Sequence, residues 1–131
     1  MATYNKFQPA VETLVEGINA GSDTWALKLA TAVNAAAGTI TEVASGGGYT
    51  TGGVTLTTSS SAQSGGTYTL TFTTPSSPTW TGSGGGFTFQ YVVLVDTTTS
   101  TNVGYWDYGS SQAVAASETV TVTLTNAFTV S

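Results

Sequence analysis

Hydrophobic and polar residues alternate with a period of two along much of the chain. The pattern is clearest in segments 68–73, 87–91 and 119–125, where apolar side chains alternate mainly with threonine. Because successive strand residues point to opposite faces, this spacing predicts strands with one buried face. Segment 87–91 runs on into the unbroken apolar stretch 92–95, which predicts a central strand covered on both faces.

Shorter segments carry the same strand pattern. Residues 25–30 alternate from Trp25 onwards, and 40–43 and 54–56 predict two further short strands. We expect Trp25 itself to lie in the core, and 32–38 to form a loop or turn. Turn-forming segments separate the strands, and they lie at 46–48, 52–53, 82–86 and, as a predicted hairpin tip, 97–101.

One segment departs from the strand pattern and predicts a helix over 8–19. Its apolar residues follow helical spacing, so they share one face, and they are Phe7, Val11, Leu14, Val15 and Ile18. Asn5 is the expected N-terminal cap, Pro9 fits the first turn, and Gly21 is the expected stop. We expect this helix to pack on its own sheet, with docking on a partner as the alternative.

The order of these elements predicts a mainly β fold in a single domain spanning 1–131. Many short strands with almost no helix between them are typical of an antiparallel β-sandwich or a jelly-roll-like, partly closed barrel. The chain length fits one domain. The predicted architecture is therefore one such domain with one short N-terminal helix.

Charge narrows the range of partners. Charged residues make up 7% of the chain, against about 25% in typical globular domains. The net charge is −5, and Lys6 and Lys28 are the only basic side chains. Nucleic-acid binding requires many basic groups, so we expect neither a nucleic-acid partner nor an anionic membrane surface. No stretch reaches the roughly 18 apolar residues of a membrane span, and we expect assembly in the cytoplasm.

The residue types that most enzymes use are missing. The chain has no His and no Cys, so Ser–His–Asp, Cys–His and typical zinc chemistry are excluded. We predict no catalytic, cofactor-binding or metal-binding residues. No calcium-loop motif occurs, which leaves a loop site without a sequence motif as the alternative for metal binding. A glycosidase would require two carboxylates about 5–9 Å apart across a cleft, which remains an alternative. Asp23 in a turn and Asp96 at the start of a hairpin tip have structural explanations.

Aromatic residues are the remaining candidates for function. Trp and Tyr are enriched in protein interfaces, can stack on sugars, and are also common in β cores. The sequence around Trp80 is equally compatible with a core residue and with an exposed interface anchor. The aromatic run 104–109 is compatible with the core or with an interface. The five interface candidates are Trp80, Phe87, Tyr105, Trp106 and Tyr108.

Four segments, in order and at matching spacing, resemble a family of small virion structural proteins of tailed phages and prophages. They are MATYNKF (1–7), GSDT (21–24), GYTTGG (48–53) and GYWDYGSS (104–111). The resemblance implies a non-enzymatic capsid decoration, or cement, protein with a β-sandwich or jelly-roll-like fold. It would bind the major capsid protein on the capsid exterior as a homodimer or homotrimer.

Three other functions compete with that expectation. The first is a tail or fibre module that binds host glycans, for which the aromatic residues are suited. The second is the glycan hydrolase described above. The third is a tail-tube or baseplate component that forms stacked rings.

Overall fold

A computed structural model describes residues 2–10, 17–74, 77–124 and 128–130. Within these ranges, eight strands form one antiparallel sheet in the order β1-β8-β7-β2-β4-β5-β10, with β3 also paired to β2, and β6 pairs with β9 in a separate ribbon. The sheet curls into a half-barrel, which confirms the predicted partly closed, mainly β architecture. The strands are β1 Tyr4–Lys6, β2 Trp25–Asn34, β3 Thr39–Glu42, β4 Val54–Ser64, β5 Thr67–Thr74, β6 Thr79–Thr81, β7 Phe87–Asp96, β8 Thr101–Val114, β9 Thr119–Thr121 and β10 Phe128–Val130.

The β2–β7 pair forms the centre of the sheet. Six consecutive residue pairs join the two strands, from Trp25 opposite Asp96 to Ala30 opposite Tyr91. The apolar stretch 92–95 of β7 is buried on both faces, as its unbroken pattern predicts. Val92 and Leu94 face one core, and Val93 and Val95 face a second one.

The larger core lies on one face of the sheet, where Trp80 of β6 belongs to it and Val120 of β9 packs against it. Trp25, Leu27 and Leu29 of β2 point into this core, which confirms the alternation predicted for 25–30. Other members come from loops and neighbouring strands. The most deeply buried side chains of this core are Trp25, Leu27, Leu29, Leu70, Phe89, Val92, Leu94 and Val103.

The smaller core lies on the opposite face, beneath the N-terminal segment. Phe7 and Ala10 pack there against Ala30, Val93 and Val95. Residues 8–10 are helical, so the beginning of the helix docks on its own sheet. Residues 11–16 lie outside the described part of the chain.

Both predicted ends of this helix require correction. Residues 17–19 are not helical, so the prediction of a helix as far as 19 is wrong at its C-terminal end. Asn5 belongs to β1, where its side-chain amide donates to the carbonyl of Thr3, and it does not cap the helix. Edge pairing with β8 overrides the local capping preference, because three residues of β1 join the sheet there.

The polar strands are longer than the apolar pattern predicts. β4 extends to Ser64 through threonines and serines, and β2 continues through 32–34, which we predicted as a loop. Pairing with β5 and β3 supplies the backbone hydrogen-bond partners of these residues. Conversely, β9 ends at Thr121, although the alternation continues to 125.

The fold predicts that a side chain at Gly104 would displace Tyr4. The ring and hydroxyl of Tyr4 lie against Gly104, and a Cβ there would overlap them, so the Tyr4 ring would have to move away from β8. We expect Gly104→Ala to lower the free energy of unfolding by about 1–3 kcal/mol, measured by urea denaturation. Gly85→Ala is the matched control, since nothing lies within 4 Å of its Cβ position. Equal stabilities of the two variants would contradict the close approach of Tyr4.

Candidate functional site

A large irregularity in β8 creates the most distinctive surface of the described chain. Tyr91 of β7 lies opposite Asp107, but Phe89 lies opposite Gln112. Residues 108–111 of β8 therefore face Gln90 alone. We call residues 107–112 the β8 bulge. Gly109, with φ at 81°, adopts the left-handed conformation that this excursion requires.

Hydrogen bonds fix the base of the β8 bulge. The Gln90 amide donates to Asp107 Oδ1 at 3.0 Å and to the Tyr91 hydroxyl at 3.1 Å. The backbone N–H of Gly109 donates to the same Asp107 oxygen at 2.8 Å. The Asp107 carboxylate thus joins Gln90 of β7 to the first half of the bulge, which gives this part a defined shape.

Tyr108 projects from this bulge towards solvent. It is the only exposed large hydrophobic residue among those the structure describes, with 39% of its surface accessible. Its ring makes an edge-on contact with Phe89, at 5.6 Å between centroids. Burial of part of the side chain raises the pKa of Tyr108. Phe89 therefore packs against part of the Tyr108 ring, and the rest of the ring is accessible to a partner, as expected of an interface anchor.

Tyr105 and Trp106 are half-buried and lie on opposite faces of the same strand. Tyr105 packs on Phe7 at 5.0 Å and on Tyr91 at 6.0 Å. Trp106 packs on Tyr4 at 5.1 Å and on the larger core. These two candidates support the sheet and expose only part of their rings.

Trp80 and Phe87 do not lie on this surface. They are 5% and 8% exposed, and both belong to the larger core, where each packs on Tyr49. For Trp80, the structure shows the core alternative, because the ribbon of β6 and β9 turns its ring inwards. Phe87 shares the buried face of β7 with Phe89, a placement that its alternation with threonine already indicated.

A shallow groove of about 460 Å³ lies on the face of β2 away from the larger core. Lys28 and Glu42 line it and form an ion pair at 3.3 Å. The other oxygen of Glu42 accepts hydrogen bonds from the Tyr49 hydroxyl at 2.7 Å and the Gly52 N–H at 2.6 Å. The remaining lining residues are Thr39, Ile40, Val95, Thr97, Ser100 and Asn102.

The acidic residues do not form the arrangement of a glycosidase in the described part of the chain. Asp23 and Asp96 lie near each other, but Asp96 has no exposed surface, so the two carboxyl groups do not face each other across an open cleft. A substrate would need a separation of about 5–9 Å and an open cleft. Glu42 and Asp107 are bound as described above, and Glu118 accepts from the Ala115 N–H in a turn. Glu12 and Glu16 lie outside the described residues.

The sequence patterns did not predict that Asp23 and Asp96 lie near each other. They did place Asp96 correctly at the start of the 97–100 turn, where its carboxylate accepts a hydrogen bond from the Thr99 N–H. The contact with Asp23 depends on the pairing of β2 with β7, which no local pattern reveals. The sequence therefore did not reveal that Asp96 is buried with one carboxyl oxygen lacking a hydrogen-bond donor.

No family model, curated protein or solved structure matches this chain. Among the described residues, no helix is long and apolar enough to cross a membrane.

Tyr4 supplies a test of the packing behind the β8 strand. Burial raises its pKa to about 12. Between pH about 10 and 12 the folded chain keeps the phenolic proton that the unfolded chain loses, so the free energy of unfolding should fall as pH rises through this window. Tyr4→Phe has no such proton and should lose less stability over the same range, measured by urea denaturation. An identical pH dependence in both proteins would contradict the burial of the Tyr4 hydroxyl.

Proposed function

We propose that this chain is a non-enzymatic virion structural protein of a tailed phage, and that it decorates the capsid. In this role it binds the outer shell and bridges subunits of the major capsid protein. The observation that carries the proposal is the β8 bulge, which presents Tyr108 on a hydrogen-bonded base. The resemblance of four sequence segments to phage virion proteins supports the choice of partner.

The chemistry of the bulge favours a folded protein as partner. A tyrosine offers a large contact area and a hydroxyl group while losing little conformational entropy on binding. Ser110 and Ser111 beside it are exposed and uncharged. Such a neutral, shaped surface suits apolar contact and hydrogen bonding to another protein surface.

The edge of β8 supports self-association. In the described chain β1 pairs with 104–106 of β8, whereas Asp107 and residues 112–114 of β8 pair only with β7. An open strand edge can pair with another chain. We therefore propose a homodimer or homotrimer, in which several interfaces of about 1,600 Å² each would add avidity on the shell.

The charge of the chain supports a position on the capsid exterior, reached after assembly in the host cytoplasm. A net charge of −5 with two lysines disfavours contact with packaged DNA. On the outer shell the negatively charged chain does not contact the packaged DNA, so this repulsion is absent.

Replacement of Tyr108 tests the proposed contact. We expect Tyr108→Ala to weaken binding to capsids that lack this protein by about 2 kcal/mol or roughly 30-fold, measured by co-sedimentation. Tyr108→Phe keeps the ring and should retain most of the affinity. Both variants should fold, because Tyr108 belongs to neither of the two buried cores. Wild-type affinity in Tyr108→Ala would rule out the β8 bulge as the capsid contact.

The groove beside Lys28 favours a second candidate, a tail, baseplate or fibre component that binds glycans. Its lining supplies hydroxyl, amide, ammonium and carboxylate groups in a shallow depression. Isothermal titration with a panel of oligosaccharides tests this alternative. Saturable binding that weakens in Thr39→Val would support it, since that change removes one exposed hydroxyl. Flat titrations across the panel would eliminate it.

A further inference from the structure

Two carboxyl groups meet at the end of the central β2–β7 pair. Asp96, the last residue of β7, lies directly opposite Trp25, the first residue of β2. Asp23 precedes Trp25 by two residues, in the bend that leads into β2. Its carboxyl group is close enough to that of Asp96 to contribute to the raised pKa of Asp96, of which burial is the larger cause. Neither residue belongs to the β8 bulge or to the groove.

The Asp96 carboxyl group is buried and only half satisfied. Its side chain has 0% exposed surface. Oδ1 accepts from the Thr99 N–H at 3.1 Å, whereas Oδ2 is buried without a hydrogen-bond partner among the described residues. Asp23 has one oxygen engaged, because Oδ2 accepts from the Asn19 N–H at 2.9 Å. The pair thus contains one buried acceptor oxygen, Asp96 Oδ2, without a donor among the described residues.

No basic side chain neutralises this pair. The chain has two lysines, and Lys28 is bound to Glu42 on the opposite face of β2. Lys6 lies in β1, which pairs with β8 around Gly104. Burial, and then the neighbouring Asp23, raise the pKa of Asp96. Two neighbouring carboxyl groups, of which Asp96 is buried, require a shared proton or a bound cation to offset their repulsion.

Hydrogen bonds join the two segments that carry the pair, and hydroxyl and carbonyl oxygens take part in them. Loop 19–24 and turn 97–100 are held together by the Thr97 N–H and hydroxyl, which donate to the Thr24 carbonyl, and by the Thr24 N–H, which donates to the Thr98 hydroxyl. No cluster of three or more acidic side chains occurs among the described residues, so other ligands would be hydroxyl, carbonyl or water oxygens. Carboxylate with neutral oxygen is the ligand set of hard cations.

We propose that the Asp23–Asp96 pair is a binding site for a hard divalent cation, with calcium as the best fit. Calcium accepts irregular oxygen geometry supplied by loops, whereas magnesium demands a near-ideal octahedron. The ion bridges loop 19–24 and the β7–β8 turn, and so fastens the start of β2 to the end of β7. With two carboxylates, the affinity falls in the range of about 10⁻⁴–10⁻³ M.

Terbium luminescence tests this site directly, because Trp25 lies beside it and can sensitise a bound lanthanide. Titration of the purified chain with terbium should give saturable emission that calcium displaces and magnesium does not. Asp96→Asn and Asp23→Asn should each weaken binding at least about 10-fold, since each removes a ligand charge. Asp107→Asn is the matched control, with the same substitution and charge change at the β8 bulge, and should bind as the wild type.

A second measurement keeps the test decisive if Asp96→Asn fails to fold. Calcium at several millimolar should raise the thermal midpoint of the wild type above its value in chelator, and Asp23→Asn should abolish that shift. Absence of both saturable terbium emission and a calcium-dependent shift would overturn the proposal, and the pair would then hold a proton. Equal weakening by Asp107→Asn would overturn it too, because binding would then follow net charge.

Discussion

The double-sided burial of the β2–β7 pair is the constraint on which the rest of the structure depends. Six residue pairs place apolar side chains on both faces of β7, so each face requires its own cover. The β6–β9 ribbon and the loop carrying Tyr49 cover one face, and the N-terminal segment with Phe7 covers the other. With charged residues at 7% of the chain, burial of apolar surface supplies most of the stabilisation.

This burial decides which aromatic residues remain for function. Trp25, Trp80 and Phe87 are used in the larger core, and Tyr105 and Trp106 support the sheet with most of their rings. Tyr108 escapes because the β8 bulge carries it out of the regular pleat. The proposed contact surface therefore arises from an irregularity next to the core. The strand is rigid there, but the side chains of the bulge do not follow the regular alternation between the two faces.

Sequence patterns predicted the elements whose signal is local. The alternation in 25–30 and 87–91 and the apolar run 92–95 identified β2, β7 and their buried faces. The β8 bulge was not predictable in the same way, since the shift from Asp107 to Gln112 depends on pairing with β7 and on the conformation of Gly109. The contact of Asp23 with Asp96 likewise follows from strand register, and the excess length of β4 follows from backbone pairing of a polar segment.

Cryo-electron microscopy of phage particles produced from the genome that encodes this chain tests the proposed role most directly. A decoration protein should give density of this half-barrel in many copies on the outer shell, between neighbouring capsomers, with the β8 bulge against the major capsid protein. Density confined to the tail as stacked rings or fibres, or no density on the shell, would rule out capsid decoration.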